Sequence, residues 1–213
     1  MKQLMPFMVF ISTFLLSFTA SADIVEVRST GDDTVSTGTG TVIKKNLVIT
    51  NYHVIENMNN IYIRYGDIKR KAVVVRIDIE NDLALLKSNT GKLKPVQLSD
   101  KFSGYGVGYG YLDGVRHKSS EGQYTVQGTR VIYTSTLYKG LSGGPIYDGR
   151  SKRTVAIISA IARDSESCSD IVSIGIPARI VIDFINNKKP TSPVNSKGPL
   201  SLDMTKSLPI FVK

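Results

Sequence analysis

The chain has 213 residues, 41% of them apolar, and a formal charge of +9. That length can bury a sizeable core without cross-links, and a single cysteine, Cys168, excludes any intramolecular disulfide. The positive charge favours anions in general. Yet the basic residues are scattered over 44–45, 69–71, 92–94, 150–153 and 188–189, without a basic helix or stacking aromatics, so no specific nucleic-acid partner is expected.

Residues 1–22 carry Lys2, an apolar stretch over 4–18 and the small residues Ala20, Ser21 and Ala22. This is the layout of a secretory signal peptide. The apolar run is short for a bilayer span, which needs about 20 residues. Cleavage after Ala22 is therefore expected, leaving a chain that starts at Asp23 with no membrane span and a charge of +8, since Lys2 is lost from the +9.

Residues 23–187 read as one all-β domain. Short β-branched or alternating runs recur at 24–28, 40–44, 47–50, 61–64, 71–78, 83–87, 105–109, 123–133, 145–147, 154–162 and 171–176. Turn residues separate them at 31–33, 67, 89–91, 111–114 and 148–149. Many short strands at this spacing predict a sandwich or barrel. A brief helical turn is predicted over 53–57. One true helix is predicted over 178–187, where Ile180, Val181, Phe184 and Ile185 form an apolar face behind Pro177. Residues 188–213 turn polar and proline-bearing and end on an apolar 208–212, the composition of an extended tail.

Two features invite a ligand and are set aside. Residues 104–110 alternate glycine with tyrosine and valine, but no helix opens on them, as a dinucleotide fingerprint requires. Cys168 has no neighbouring ligands for a metal. No cofactor or metal is expected.

The chemistry gathers at Gly140-Leu141-Ser142-Gly143-Gly144-Pro145. Serine needs a base to take its proton and N–H donors for the oxyanion formed on attack. Glycines let the backbone bend sharply, so the N–H groups of Gly140 and Ser142 can point into one hole. A β-branched run, 47–50, leads to His53, and Asp82 heads the apolar run 83–87. The order His53, Asp82, Ser142 is that of the chymotrypsin triad. Asp78, four residues earlier, is the rival carboxylate.

These segments resemble a trypsin-like serine protease of the chymotrypsin fold. The likeness is nearest to the protease domain of the high-temperature-requirement bacterial envelope proteases. Residues 38–43 resemble that family's first-strand pattern; 48–55, 81–87 and 140–146 resemble its histidine, aspartate and serine motifs; 155–161 and 174–177 resemble the segments that follow. The resemblance covers roughly 25–187 and implies two six-stranded antiparallel β-barrels with a C-terminal helix. It implies a secreted or periplasmic endopeptidase acting on proteins or peptides, with His53, Asp82 and Ser142 catalytic and Gly140 and Ser142 lending oxyanion donors. In this length it leaves no room for the peptide-binding domain of many such proteases. By register, Thr136, Ser159, Ala160, Ile161 and Ser173 line the substrate pocket. With no acidic floor, the expected preference is for small or medium aliphatic residues. The departure is Leu141, where related proteases carry aspartate or asparagine. The alternative expectation is a weakly active protease fold that binds rather than cuts. Oligomeric state is not legible.

Overall fold

Strands of four to thirteen residues pair antiparallel and close twice upon themselves. The computed structural model describes residues 24–163 and 171–188, with side chains omitted for 161–163 and 171–172. The predicted signal peptide, Cys168 and all of the tail beyond Lys188 lie outside the described residues.

The first barrel contains β1 (Ile24–Thr30), β2 (Val35–Lys44), β3 (Leu47–Thr50), β4 (Asn60–Tyr65), β5 (Ile68–Asp78) and β6 (Leu83–Lys87). It closes in the order β1-β2-β3-β6-β5-β4. The second contains β7 (Tyr105–Leu112), β8 (Val115–Gln127), β9 (Arg130–Tyr133), β10 (Pro145–Asp148), β11 (Thr154–Arg163) and β12 (Ile171–Pro177). It closes as β10-β11-β12-β9-β8-β7. This is the chymotrypsin-like architecture. Helix α1 (Ala178–Ile185) follows β12 directly, its first turn preceded by Pro177, whose fixed φ suits a helix start.

Four stretches depart from the sequence expectation. The run 123–133 is not one strand: Gly128, at φ +57°, turns the chain between β8 and β9. β8 also begins at Val115, earlier than expected, because Asp113 and Gly114, both at positive φ, make a two-residue hairpin from β7. Residues 116–121 are polar and mostly exposed, so they lack the apolar alternation that marks a strand. The predicted turn over 53–57 is a 3-10 turn over Tyr52–Val54, and the helix stops two residues short of 187.

Three apolar clusters hold the fold. One fills the first barrel around Val25, Ile63 and Leu86. Another fills the second barrel around Tyr133, Leu141 and Ile146. The third lies between them: Ile43, Ile49 and Leu85 from the first barrel meet Ile157 and Ile176 from the second and Ile180, Val181 and Phe184 from α1. Each such side chain stabilises by about 1.5–3 kcal/mol when fully buried, so the helix fastens one barrel to the other.

A buried carboxylate ties the start of the second barrel. Asp148, 2% exposed, accepts from Tyr124 Oη at 2.7 Å and the Ser103 N–H at 2.7 Å on one oxygen. Its other oxygen accepts from the N–H groups of Ser151 at 2.7 Å and Arg150 at 3.1 Å. Burial alone would raise its pKa, but the bonds from Ser103, Ser151 and Tyr124 outweigh burial and hold it below the usual carboxylate range. The depressed value means that the stabilisation is complete above the unfolded pKa of 3.8 and fades as pH falls below it. Asp148→Asn is expected to lower stability at pH 7 by about 1–3 kcal/mol. Urea melts should show the gap between variant and wild type shrinking below pH 4.

Candidate active site

The register of β3 on β6 brings two of the candidate groups together. Thr50 pairs with Ala84, so two residues further along one strand and two back along the other, Tyr52 faces Asp82. The Tyr52 N–H duly donates to Asp82 O at 3.2 Å, and Asn51 Nδ2 donates to the same oxygen at 3.0 Å. Asp82 sits at φ +56°, a left-handed position that aspartate tolerates better than most residues. Its side chain turns back to His53. Oδ2 lies 2.8 Å from His53 Nδ1, and Oδ1 accepts the His53 N–H at 3.0 Å. Both side chains are about a quarter exposed, at 29% and 23%. Asp78 serves the preceding turn instead, where its two oxygens hold Asn81, at 3.0 Å to the N–H and 2.8 Å to Nδ2.

Ser142 lies on the loop between β9 and β10, pressed against the first barrel. Its carbonyl accepts from the Thr39 N–H at 2.7 Å, and the Gly143 carbonyl accepts from Thr41 Oγ1 at 2.8 Å. The approach is close enough to require glycine. At Gly143, φ is +88° and a Cβ would stand 2.0 Å from Thr39 O; at Gly140, φ is +99° and a Cβ would stand 2.7 Å from Tyr111 O.

The loop's N–H groups alternate in use. Leu141 donates to Tyr138 O at 3.2 Å, Gly143 to Ile158 O at 2.8 Å and Gly144 to Leu141 O at 2.9 Å. Among the described residues, the N–H groups of Gly140 and Ser142 have no protein acceptor. Leu141 is fully buried in the second-barrel core, so it is an apolar anchor for the loop.

By sequence, Ser159 is expected only as a pocket wall. It is the extra residue of a β-bulge: Ile158 pairs with Gly175 and Ala160 with Ile174, and Ser159 is skipped. Bulges re-aim side chains, and this one turns Ser159 into the site. Its hydroxyl donates to Asp82 Oδ2 at 2.7 Å, and its carbonyl accepts from Ser142 Oγ at 3.2 Å. Among the described residues, Ser142 Oγ therefore meets Ser159 and not His53. The other pocket candidates differ in exposure. Thr136 is exposed and Ala160 half-buried. Ser173 is buried, with its hydroxyl on Ser135 O at 2.9 Å. Ile161 pairs with Ser173 through the backbone.

Two closed barrels with a histidine–aspartate contact and a glycine-bound serine loop define the chymotrypsin-like class. Residues 38–157 match the trypsin-like peptidase domain, more than half of the chain, and the chain belongs to that family. It is 28% identical over 191 residues to the putative mitochondrial protease Do-like 3 of Arabidopsis thaliana, covering 80% of this chain and 33% of the relative. It is 28% identical over 174 residues to a DegP-like periplasmic serine endoprotease of Hahella chejuensis, covering 75% of this chain and 37% of the relative. The chain thus spans about a third of the length of these relatives. The crystal structure of the active form of the Rv3671c protease of M. tuberculosis superposes with a TM-score of 0.68 at 21% identity, covering 82% of this chain and 84% of that one.

The Ser159 hydroxyl is one of the groups that fix the Asp82 carboxylate. A hydrogen bond to a charged group contributes roughly 1.5–3 kcal/mol. Ser159→Ala is expected to lower kcat/KM for peptide hydrolysis by about tenfold, at the lower end of that range, with Ser159→Thr retaining more activity; steady-state kinetics check it.

Proposed function

We propose that this chain is a secreted or periplasmic serine endopeptidase that cuts protein or peptide substrates through an acyl-enzyme. Rotation about χ1 first carries Ser142 Oγ from the Ser159 carbonyl to the imidazole. Ser142 Oγ then attacks the scissile carbonyl, while His53 Nε2 takes its proton and later returns it to the leaving amine. Asp82 holds Nδ1–H and balances the imidazolium. The free N–H groups of Gly140 and Ser142 receive the oxyanion. The observation that carries this reading is the Asp82 carboxylate. It takes His53 Nδ1, the His53 N–H and Ser159 Oγ, which fixes the ring with Nε2 turned away from the carboxylate.

Residues 1–22 are read as a removable leader, 23–187 as the protease domain and 188–213 as a tail. The periplasmic DegP-like relative supports an envelope location, and the leader composition argues the same way. For substrate choice, the reading is cleavage after small or medium aliphatic residues, with Thr136, Ser159, Ala160, Ile161 and Ser173 forming the pocket. It is supported by the lack of an acidic side chain among these five. One methylene in such a pocket discriminates by about 1–3 kcal/mol, so cleavage should be broad.

A second reading, a protease fold that binds without cutting, draws on one observation: Ser142 Oγ donates to Ser159 O. A fluorophosphonate probe separates the two. Labelling of wild type, its loss in Ser142→Ala and a fall in turnover of several orders of magnitude support the endopeptidase; an unlabelled wild type supports the binder. In a peptide-library digest, cuts should follow alanine, valine and similar residues, and dominant cleavage after arginine or lysine would refute the pocket assignment. Mass spectrometry of the exported chain should find its N-terminus at Asp23.

A further inference from the structure

We propose that Thr39 is a positioning residue for the oxyanion donors, an inference that rests on the reading of Gly140 and Ser142 above. Thr39 lies on β2 of the first barrel and is fully buried. Each of its polar groups is engaged. Oγ1 donates to Gly140 O at 2.8 Å and accepts the Tyr111 N–H of β7 at 2.7 Å. Its N–H donates to Ser142 O at 2.7 Å, and its carbonyl accepts from Thr50 Oγ1 at 2.7 Å.

The effect is to lock alternate peptide planes of the serine loop. The 140–141 plane is held at its carbonyl by the Thr39 hydroxyl and at its N–H by Tyr138 O. The 142–143 plane is held at its carbonyl by the Thr39 N–H and at its N–H by Ile158 O. The 141–142 plane between them is held at its carbonyl by the Gly144 N–H. With these planes fixed, Ser142 N–H has one direction. Gly140 N–H joins the locked 140–141 plane through the rotations at one glycine, and a glycine alone resists rotation weakly. The Thr39 hydroxyl is the side-chain group holding that plane, braced in turn on β7. Without it, the 140–141 peptide is held at its N–H alone, by Tyr138 O, and the paired donors converge less well.

The test compares wild type, Thr39→Val, which keeps the shape and removes the hydroxyl, and Thr39→Ser, which keeps the hydroxyl. All are assayed below the onset of their melting curves. Fluorophosphonate labelling is resolved into a maximal rate and a half-saturating concentration. Thr39→Val is expected to lower the maximal rate by about 10²-fold, the scale of losing one oxyanion donor, with half-saturation nearly unchanged and Thr39→Ser restoring the rate. In ¹⁵N-labelled protein, the amide resonances of Gly140 and Ser142 should move in Thr39→Val and stay in Thr39→Ser. Labelling of Thr39→Val at the wild-type rate, or amide resonances that do not move, would overturn the proposal. A wild type that never labels would overturn the endopeptidase reading, and the amide resonances would then decide the role of Thr39 by themselves.

Discussion

The hydrogen bonds from β2 to the serine loop are the constraint on which the site depends. Each barrel closes through its own ladder, and neither ladder requires the other barrel to sit at a particular angle. Thr39 and Thr41 supply that requirement through three bonds of 2.7–2.8 Å to the carbonyls of Gly140, Ser142 and Gly143. These are backbone acceptors in a region where burial makes an unpaired group costly, at about 1–3 kcal/mol each. Apolar packing between the barrels, with α1 across the seam, supplies the attraction; the threonines supply the register. Hydrophobic burial is not directional, so it could not do both.

The other half of the site is built on strand pairing within one barrel. The β3–β6 register sets Tyr52 against Asp82, and the left-handed turn at Asp82 points its carboxylate at the next residue, His53. The second barrel enters again through the bulge at Ser159, which touches Asp82 with its side chain and Ser142 with its backbone. One residue thus contacts both ends of the proposed proton path. The three candidate groups, far apart in the chain, are held by the turn leading into β6, a 3-10 turn and a glycine loop, with this bulge between them.

Much of this was legible in the sequence. The β-branched runs gave the strands because half-buried sheet faces favour such residues, and the helix announced itself by its apolar period. Asp82 stands apart from Asp78 because it heads an apolar strand, whereas Asp78 serves the turn that precedes it. What the sequence withheld has physical reasons. β8 is only partly legible because residues 116–121 are polar on both faces, and 123–133 reads as one strand because only Gly128 interrupts the run. Thr39 is legible only within the 38–43 pattern, and Ser159 only as a pocket wall. A threonine in a strand is unremarkable until a second barrel lies against it. A bulge leaves no mark in composition, since it depends on the partner strand.

Leu141 has a consequence for how the loop responds to its surroundings. An anchor formed by a carboxylate is undone by protonation and weakened by electrolyte. A leucine with no exposed surface has no charge to titrate and no ion atmosphere to be screened. Its hold derives from water's exclusion of hydrocarbon, a force that slackens on cooling and in urea. The share of the turn's order that rests on Leu141 is thereby insulated from acidity and ionic strength and made answerable to temperature.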